Sequence, residues 1–296
     1  MKGILLSTIT VLILASNALG QLAKGDRTLA WQVDMAEDNN YDLAFANASA
    51  ACMESVHLFT TWNSVEPIQS NYDPGFIANF FDVMNLYYPA TGTAVELQLA
   101  PVNTNVLEVP SDLSGLSLDD PVLINQFKSL LDTVFTHIPD VTLSALNIGN
   151  ESDIYFGTDV NAYNEFKVFL DSVGPYAKQL YFNLHGTDLK IGTTLTFHGL
   201  LDPVQGPLCA NLNANLDIIA TTYYPLNPDF KMENPSVVAG DFGSLVAAYP
   251  STSVPIYLVE AAMHRVQSVT ALKLYKLNSI KKYLRHGMRI TITLST

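Results

Sequence analysis

The chain reads as an α/β protein built as a (β/α)8 TIM barrel whose eighth unit is missing or degenerate. Three observations carry that reading. Strand-like and helix-like segments alternate at fairly even spacing from residue 28 to residue 260, with no linker or low-complexity stretch between them, which is the pattern of a parallel sheet. No glycine-rich phosphate turn follows the first strand after Asp34, where a doubly wound sheet would usually carry one. The residues with chemistry to offer, Trp62, Asn150-Glu151, Tyr223-Tyr224 and Glu260, stand at the ends of several different strands, as they do in a barrel.

The elements follow in order. Thr28–Asp34 is the first strand and Ala-rich Tyr41–Met53 the first helix; Ser55–Trp62 is the second strand. Pro74–Leu86 is helical, with Phe76, Phe80, Phe81 and Met84 at core spacing. Ala94–Val102 alternates Val95, Leu97 and Leu99 with other residues and is the third strand. Pro121–His137 is an amphipathic helix with Asp119 or Asp120 as its cap and Pro121 in its first position. Leu143–Glu151 is the fourth strand. Val160–Leu170 is the fourth helix, continuing in broken form across Gly174-Pro175. Leu189–Thr196 is the fifth strand, Leu208–Leu216 a short helix, Asp217–Tyr224 the sixth strand, Val237–Ala248 a helix and Val254–Glu260 the seventh strand.

Composition narrows the function. Hydrophobic residues at 48% supply a core and charged residues at 15% argue against disorder. A net charge of −13 disfavours nucleic acid and anionic lipid as partners. Lys2, the apolar run Ile4–Ala15 and the small residues Ala18-Leu19-Gly20 before Gln21 form a signal peptide over residues 1–20, so a secreted, extracellular protein is expected, with an uncleaved anchor as the lesser alternative; a monomer is expected separately. No later run is long enough for a membrane span. Cys52 and Cys209 either pair or remain two free thiols. Asn47-Ala-Ser49 is a glycosylation acceptor, and Asn150-Glu-Ser152 matches too, although a glycan there would block the site proposed next.

That site centres on Leu143–Ser152. In an extended segment, Ala145, Asn147, Gly149 and Glu151 share one face, with Leu146 and Ile148 on the other, so Glu151 projects from a strand's C-terminal end. Val254–Glu260 is a second apolar run ending in a glutamate. Either glutamate alone reads as a cap for the helix after it. The two together, with Asn150 directly before the first, suggest a carboxylate pair that can hydrolyse a glycosidic bond, one carboxyl protonating the leaving oxygen and the other attacking the anomeric carbon or activating water. Other chemistries lack their residues: there is no Gly-x-Ser-x-Gly elbow, phosphate loop or His-Glu-x-x-His helix, and the six histidines include no pair at metal-ligand spacing, so no metal or cofactor is expected. His198 follows the fifth strand and lines the expected cleft, His57 reads as a core residue, and Glu66 as a residue that stabilises its own loop.

In these features the sequence resembles the clan A glycoside hydrolases, retaining enzymes on (β/α)8 barrels. The likeness lies in Asn150-Glu151 after a fourth strand and Glu260 after a seventh. It extends to Trp62-Asn63-Ser64-Val65-Glu66-Pro67 with Tyr72-Asp73, similar to a loop after the second strand in several of those families, and to Tyr223-Tyr224-Pro225, similar to a segment of endo-galactanases. The resemblance implies a carbohydrate substrate, Glu151 as general acid/base with a raised pKa, Glu260 as nucleophile and Asn150 on the sugar 2-OH. It also implies that Tyr223, ahead of Tyr224, holds Glu260, and that Trp62 stacks on a sugar or plugs the barrel mouth. A catalytically impaired barrel that binds carbohydrate or serves at the cell surface is the alternative.

The chain departs from that pattern in two ways. Arg27 is the only arginine before residue 265, and Trp31 and Trp62 are the only tryptophans, so the usual cleft arginine and late sugar platform are missing. Beyond the barrel at 21–260, residues 261–296 carry seven Lys/Arg and no acid, against eight Lys/Arg and 28 acids before them, so the balance moves from −20 to +7. One reading is a basic amphipathic helix at Val266–Leu284 that meets an acidic partner. The favoured reading is a tail foreign to the domain, with Met288–Leu294 as one β-rich strand. On that reading the barrel stays open at the edges of strands one and seven, and the chain folds poorly or has low activity.

Overall fold

In the computed structural model the described residues are 28–33, 40–227, 229, 231, 233–250, 254–261 and 289–292. The expected signal peptide and the expected helix Val266–Leu284 lie outside them. The strands in chain order are β1 (Leu29–Trp31), β2 (Ser55–Thr61), β3 (Ala94–Asn103), β4 (Val106–Leu107), β5 (Leu143–Asn150), β6 (Ile191–Gly192), β7 (Thr194–Thr196), β8 (Ile219–Tyr223), β9 (Ile256–Ala261) and β10 (Arg289–Ile292). All pair in parallel except β4, which folds back on the end of β3. The order is β6-β5-β3-β2-β1-β10-β9-β8-β7. Since β6 and β7 are successive pieces of one fifth strand parted by Thr193, the order begins and ends on the same stretch of chain. The architecture is thus an α/β barrel with its seam at Thr193.

The expected open edges are not found. Arg289–Ile292 lies between the first and seventh strands, pairing Leu29 with Ile290 and Trp31 with Ile292 on one side, and Ile290 with Leu258 on the other. Arg289–Ile292, within the β-rich run expected from sequence, supplies the missing ladder. The eighth strand is short.

The helices form where caps and apolar spacing require. Asp120 accepts a hydrogen bond from the Val122 amide at 2.7 Å and Pro121 opens the helix Pro121–His137, which buries Leu123, Phe127, Leu130, Leu131 and Val134. Asp159 caps Val160–His185 at 2.9 Å, and Gly186, in the left-handed region, ends it. That helix runs unbroken through Pro175, although a break at Gly174-Pro175 was expected. Its buried face, Tyr163, Phe166, Phe169, Leu170, Val173 and Ala177, holds the turn in place, and tertiary burial outweighs the proline's missing donor.

Strand alternation sorts the side chains into two environments. Val56, Leu58, Val95, Leu97, Leu99, Leu146 and Ile148 face outward into the main core beneath the helices. The opposite face carries a small apolar cluster of Ala145, Ile218, Ala220, Tyr257 and Val259. It also carries a buried polar set, His57, Glu96, Gln98 and Asn147, in register across β2, β3 and β5. Cys52 is exposed, Cys209 is buried, and both are free thiols. Among the described residues no helix is long and apolar enough to cross a membrane.

Candidate active site

The inward face of β5, Ala145, Asn147 and Gly149, leads to Glu151. Two backbone departures aim that carboxylate. Gly149 has φ +95°, where a Cβ would come within 2.7 Å of Ser152 Oγ, and Glu151 itself has φ 45° just before the short helix Ser152–Phe156. A non-glycine residue in the left-handed region costs energy, and such strain collects at functional sites. Asp153, wholly buried, secures the turn by accepting from the Thr196 amide at 2.8 Å and from the Thr196 hydroxyl, which ties the end of β5 to the end of β7. Burial raises the pKa of Asp153, and the hydrogen bonds from Thr196 oppose that rise.

Both oxygens of Glu151 accept hydrogen bonds. The Thr104 hydroxyl donates to Oε2 at 3.1 Å and the Thr222 hydroxyl to Oε1 at 2.7 Å. Asn150 beside it is buried. Its Oδ1 accepts from Gln98 at 2.9 Å, and its Nδ2 donates to Asn103 Oδ1 at 3.0 Å. A glycan on Asn150 is incompatible with that packing, whereas Asn47 is exposed on the helix Tyr41–Ala50.

Glu260 reaches the same place by a different device. Tyr257 and Val259 point into the barrel, so simple alternation would turn Glu260 outward toward the helices. The ladder between β8 and β9 slips by one residue, from Thr221 opposite Leu258 to Thr222 opposite Glu260, and this bulge at Val259 brings Glu260 back to the inner face. Thr222 therefore stands between the two glutamates: its backbone pairs with Glu260 while its hydroxyl binds Glu151. Glu260 accepts from the Tyr224 hydroxyl. Burial raises the pKa of Glu260, the negative charge of Glu151 adds to the rise, and the Tyr224 hydrogen bond opposes it. Burial also pushes the Tyr224 phenol up, followed by the charge and hydrogen bond of Glu260, so at neutral pH Tyr224 is a donor.

Of the residues read from sequence, Glu151, Asn150 and Glu260 thus converge. Tyr223 does not join them. It is buried on the outer face of β8 against Phe197 and Phe242, and its hydroxyl donates to Asp241 at 2.6 Å. Tyr224, the lesser candidate, holds Glu260 instead. Alternation could have told them apart, because Ala220, Thr222 and Tyr224 share the inner face. Trp62 is fully buried and presents no face to a sugar: its ring packs edge-on against Phe127 with centroids 5.0 Å apart, and its Nε1 donates to Glu66 at 2.7 Å. Glu66 accepts further hydrogen bonds from the Ser70 amide and from Gln126, and so braces the loop as expected. His198 is exposed on the short helix Phe197–Leu201, with its ring against the edge of Phe197. Sequence reading missed Thr104, Thr222, Gln98 and Asn103. Thr222 was accessible by the same alternation, whereas Thr104 reaches Glu151 only through the β3–β4 turn and has no local signature.

No protein-family model matches the chain, and no curated protein matches it. Solved structures do. A GH5_18 from Bifidobacterium longum subsp. longum superposes with a TM-score of 0.66 at 12% identity, covering 92% of this chain and 70% of its own. A GH5_18 from Streptomyces cattleya in complex with GlcNAc gives 0.66 at 13%, covering 90% and 70%. An exo-beta-1,4-mannosidase from Opitutaceae bacterium strain TAV5 gives 0.64 at 14%, covering 90% of this chain and 51% of its own. The chain shares the barrel fold of these glycoside hydrolases.

Proposed function

We propose that the protein is a secreted retaining glycosidase that hydrolyses a β-linked oligo- or polysaccharide through Glu151 and Glu260. The observation that carries the reading is the convergence of two glutamates from the fourth and seventh barrel strands on Thr222, whose hydroxyl binds the Glu151 carboxylate while its backbone pairs with the backbone of Glu260. Secretion rests on the N-terminal signal pattern.

The residues divide the work as follows. Protonated Glu151 delivers its proton to the glycosidic oxygen as the bond to the leaving group breaks. Glu260, ionised and oriented by Tyr224, attacks the anomeric carbon and forms a glycosyl ester. Glu151, now a carboxylate, takes a proton from water, which attacks the same carbon and releases the sugar with retained configuration. Asn150 offers an amide N–H to the sugar 2-OH, a contact that strengthens as oxocarbenium character develops.

β-Mannosides head the substrate panel, because one neighbour is named an exo-beta-1,4-mannosidase and a GH5_18 variant from Streptomyces cattleya was crystallised with Manb1-4GlcNAc. The test is turnover of aryl β-mannosides, β-glucosides and β-galactosides by the wild type, Glu260→Gln and Glu260→Ala. A 2-fluoro glycoside serves as a mechanism-based label read by peptide mass spectrometry. Turnover lost in both variants with the fold intact, and label on Glu260, are expected. A folded wild type that binds sugars but neither turns over nor takes up label would establish the impaired-barrel alternative.

A further inference from the structure

The barrel interior beneath the carboxylates holds a polar chain that fixes which end of the Asn150 amide faces a ligand. The chain starts from a group whose role is unambiguous. The Gly149 carbonyl can only accept, and Gln98 Nε2 lies 3.0 Å from it, which defines that end of the Gln98 side chain as its NH2. The same NH2 lies 2.9 Å from Asn150 Oδ1 and 3.1 Å from Thr194 Oγ1. Asn150 therefore turns its carbonyl inward to Gln98 and its own NH2 toward Asn103 Oδ1 at 3.0 Å. One hydrogen of that NH2 serves Asn103, and the other is left for a ligand oxygen. Gln98 is completely buried and belongs to β3, two strand positions below Ala100 and on the inner face.

We propose that Gln98 is the positioning residue that locks Asn150 as a hydrogen-bond donor, so that the site recognises a sugar carrying an acceptor oxygen at C2. Without Gln98 the Asn150 amide has no inward donor to hold its carbonyl, and it can rotate to present an acceptor or leave the cleft. Gly149 is part of the device. Its left-handed backbone aims the carbonyl at Gln98, and no Cβ fits there beside Ser152 Oγ and Phe166, 2.7 and 3.1 Å away.

The inference rests on the glycosidase reading, and its test separates the two. Gln98→Met removes the donor at similar length, and Gln98→Glu replaces the NH2 with an acceptor that repels both Gly149 O and Asn150 Oδ1. Each variant is assayed with the best aryl β-glycoside and with its 2-deoxy analogue, and the ratio of kcat/KM for the two substrates is compared between variant and wild type, which cancels the analogue's intrinsic reactivity. The wild type should favour the 2-hydroxy substrate. Both variants should lose about 10- to 100-fold on that substrate, mainly in kcat, and almost nothing on the 2-deoxy analogue, since the lost contact belongs to the transition state. Asn150→Ala combined with Gln98→Met should be no worse than Asn150→Ala alone. Equal losses on both substrates, or losses that add to those of Asn150→Ala, would overturn the positioning role and leave Gln98 a structural residue. A folded wild type without glycosidase activity would overturn the underlying reading, and this inference with it.

Discussion

Tyr224→Phe tests the arrangement most directly, because it deletes one hydroxyl from the inner face and leaves the ring. In the structure that hydroxyl donates to Glu260, whose pKa is raised by burial and by Glu151 and lowered by Tyr224. A hydrogen bond to a charged, largely buried acceptor contributes about 1.5–3 kcal/mol. Its loss should raise the Glu260 pKa further, because the ionised form loses its hydrogen bond. The sign follows from the role. The nucleophile works ionised, the substitution disfavours the ionised form, and the acid limb of the kcat/KM profile must move to higher pH. Because the ester-forming step also loses orientation, kcat/KM on the alkaline side of that limb should fall about 10- to 100-fold. The assay is the pH–rate profile from pH 4 to pH 8 on an aryl β-glycoside, with Tyr223→Phe as the companion. Tyr223 bonds to Asp241 on the outer face, so its variant should lose stability and keep both the rate and the acid limb. An unshifted limb in Tyr224→Phe, or a shifted one in Tyr223→Phe, would refute the reasoning.

Two further outcomes concern stability. His57 is wholly buried, and desolvation lowers its pKa to about 4. The unfolded chain protonates near pH 6.5, so this contribution to stability is complete above that pH and is lost as pH falls toward about 4, a change of about 3 kcal/mol from 2.5 units at 1.36 kcal/mol each. Denaturant midpoints measured between pH 7.5 and 4.5 should fall less steeply in His57→Leu than in the wild type, and parallel slopes would contradict the burial of a neutral histidine. Trp62→Ala removes a fully buried ring that packs on Phe127 and donates to Glu66, and should cost about 3–5 kcal/mol in chemical denaturation. A small loss of stability with a large rise in KM would restore Trp62 as a sugar platform.

The sequence by itself determined the succession of strands and helices and the carboxylate pair, because both are written in local order. Period-two apolar runs, capping aspartates and prolines define their own elements, and a glutamate at the end of such a run lies at a strand end wherever that strand finally packs. Alternation set Ala145 and Asn147 on the inner face and Leu146 and Ile148 on the outer one, and the left-handed turns at Gly149 and Glu151 completed the aim of the carboxylate. The same alternation contains the choice of Tyr224 over Tyr223, since Ala220, Thr222 and Tyr224 follow one another along the inner face.

Other features depended on contacts between distant segments, and only the tertiary structure decided them. The bulge at Val259 reverses the face on which simple alternation would set Glu260, and it exists only as a slip between two paired strands. Trp62 looked available as a sugar platform until Phe127 and Glu66 closed around it. The helix across Pro175 survives because its far face is buried, and the short run Arg289–Ile292 becomes a barrel strand because two edges stand ready to pair with it. Gln98, Thr104 and Thr222 become functional candidates because closing the sheet brings them within hydrogen-bond reach of Asn150 and Glu151. Hydrogen bonds act over about 3 Å in space, whatever the distance along the chain.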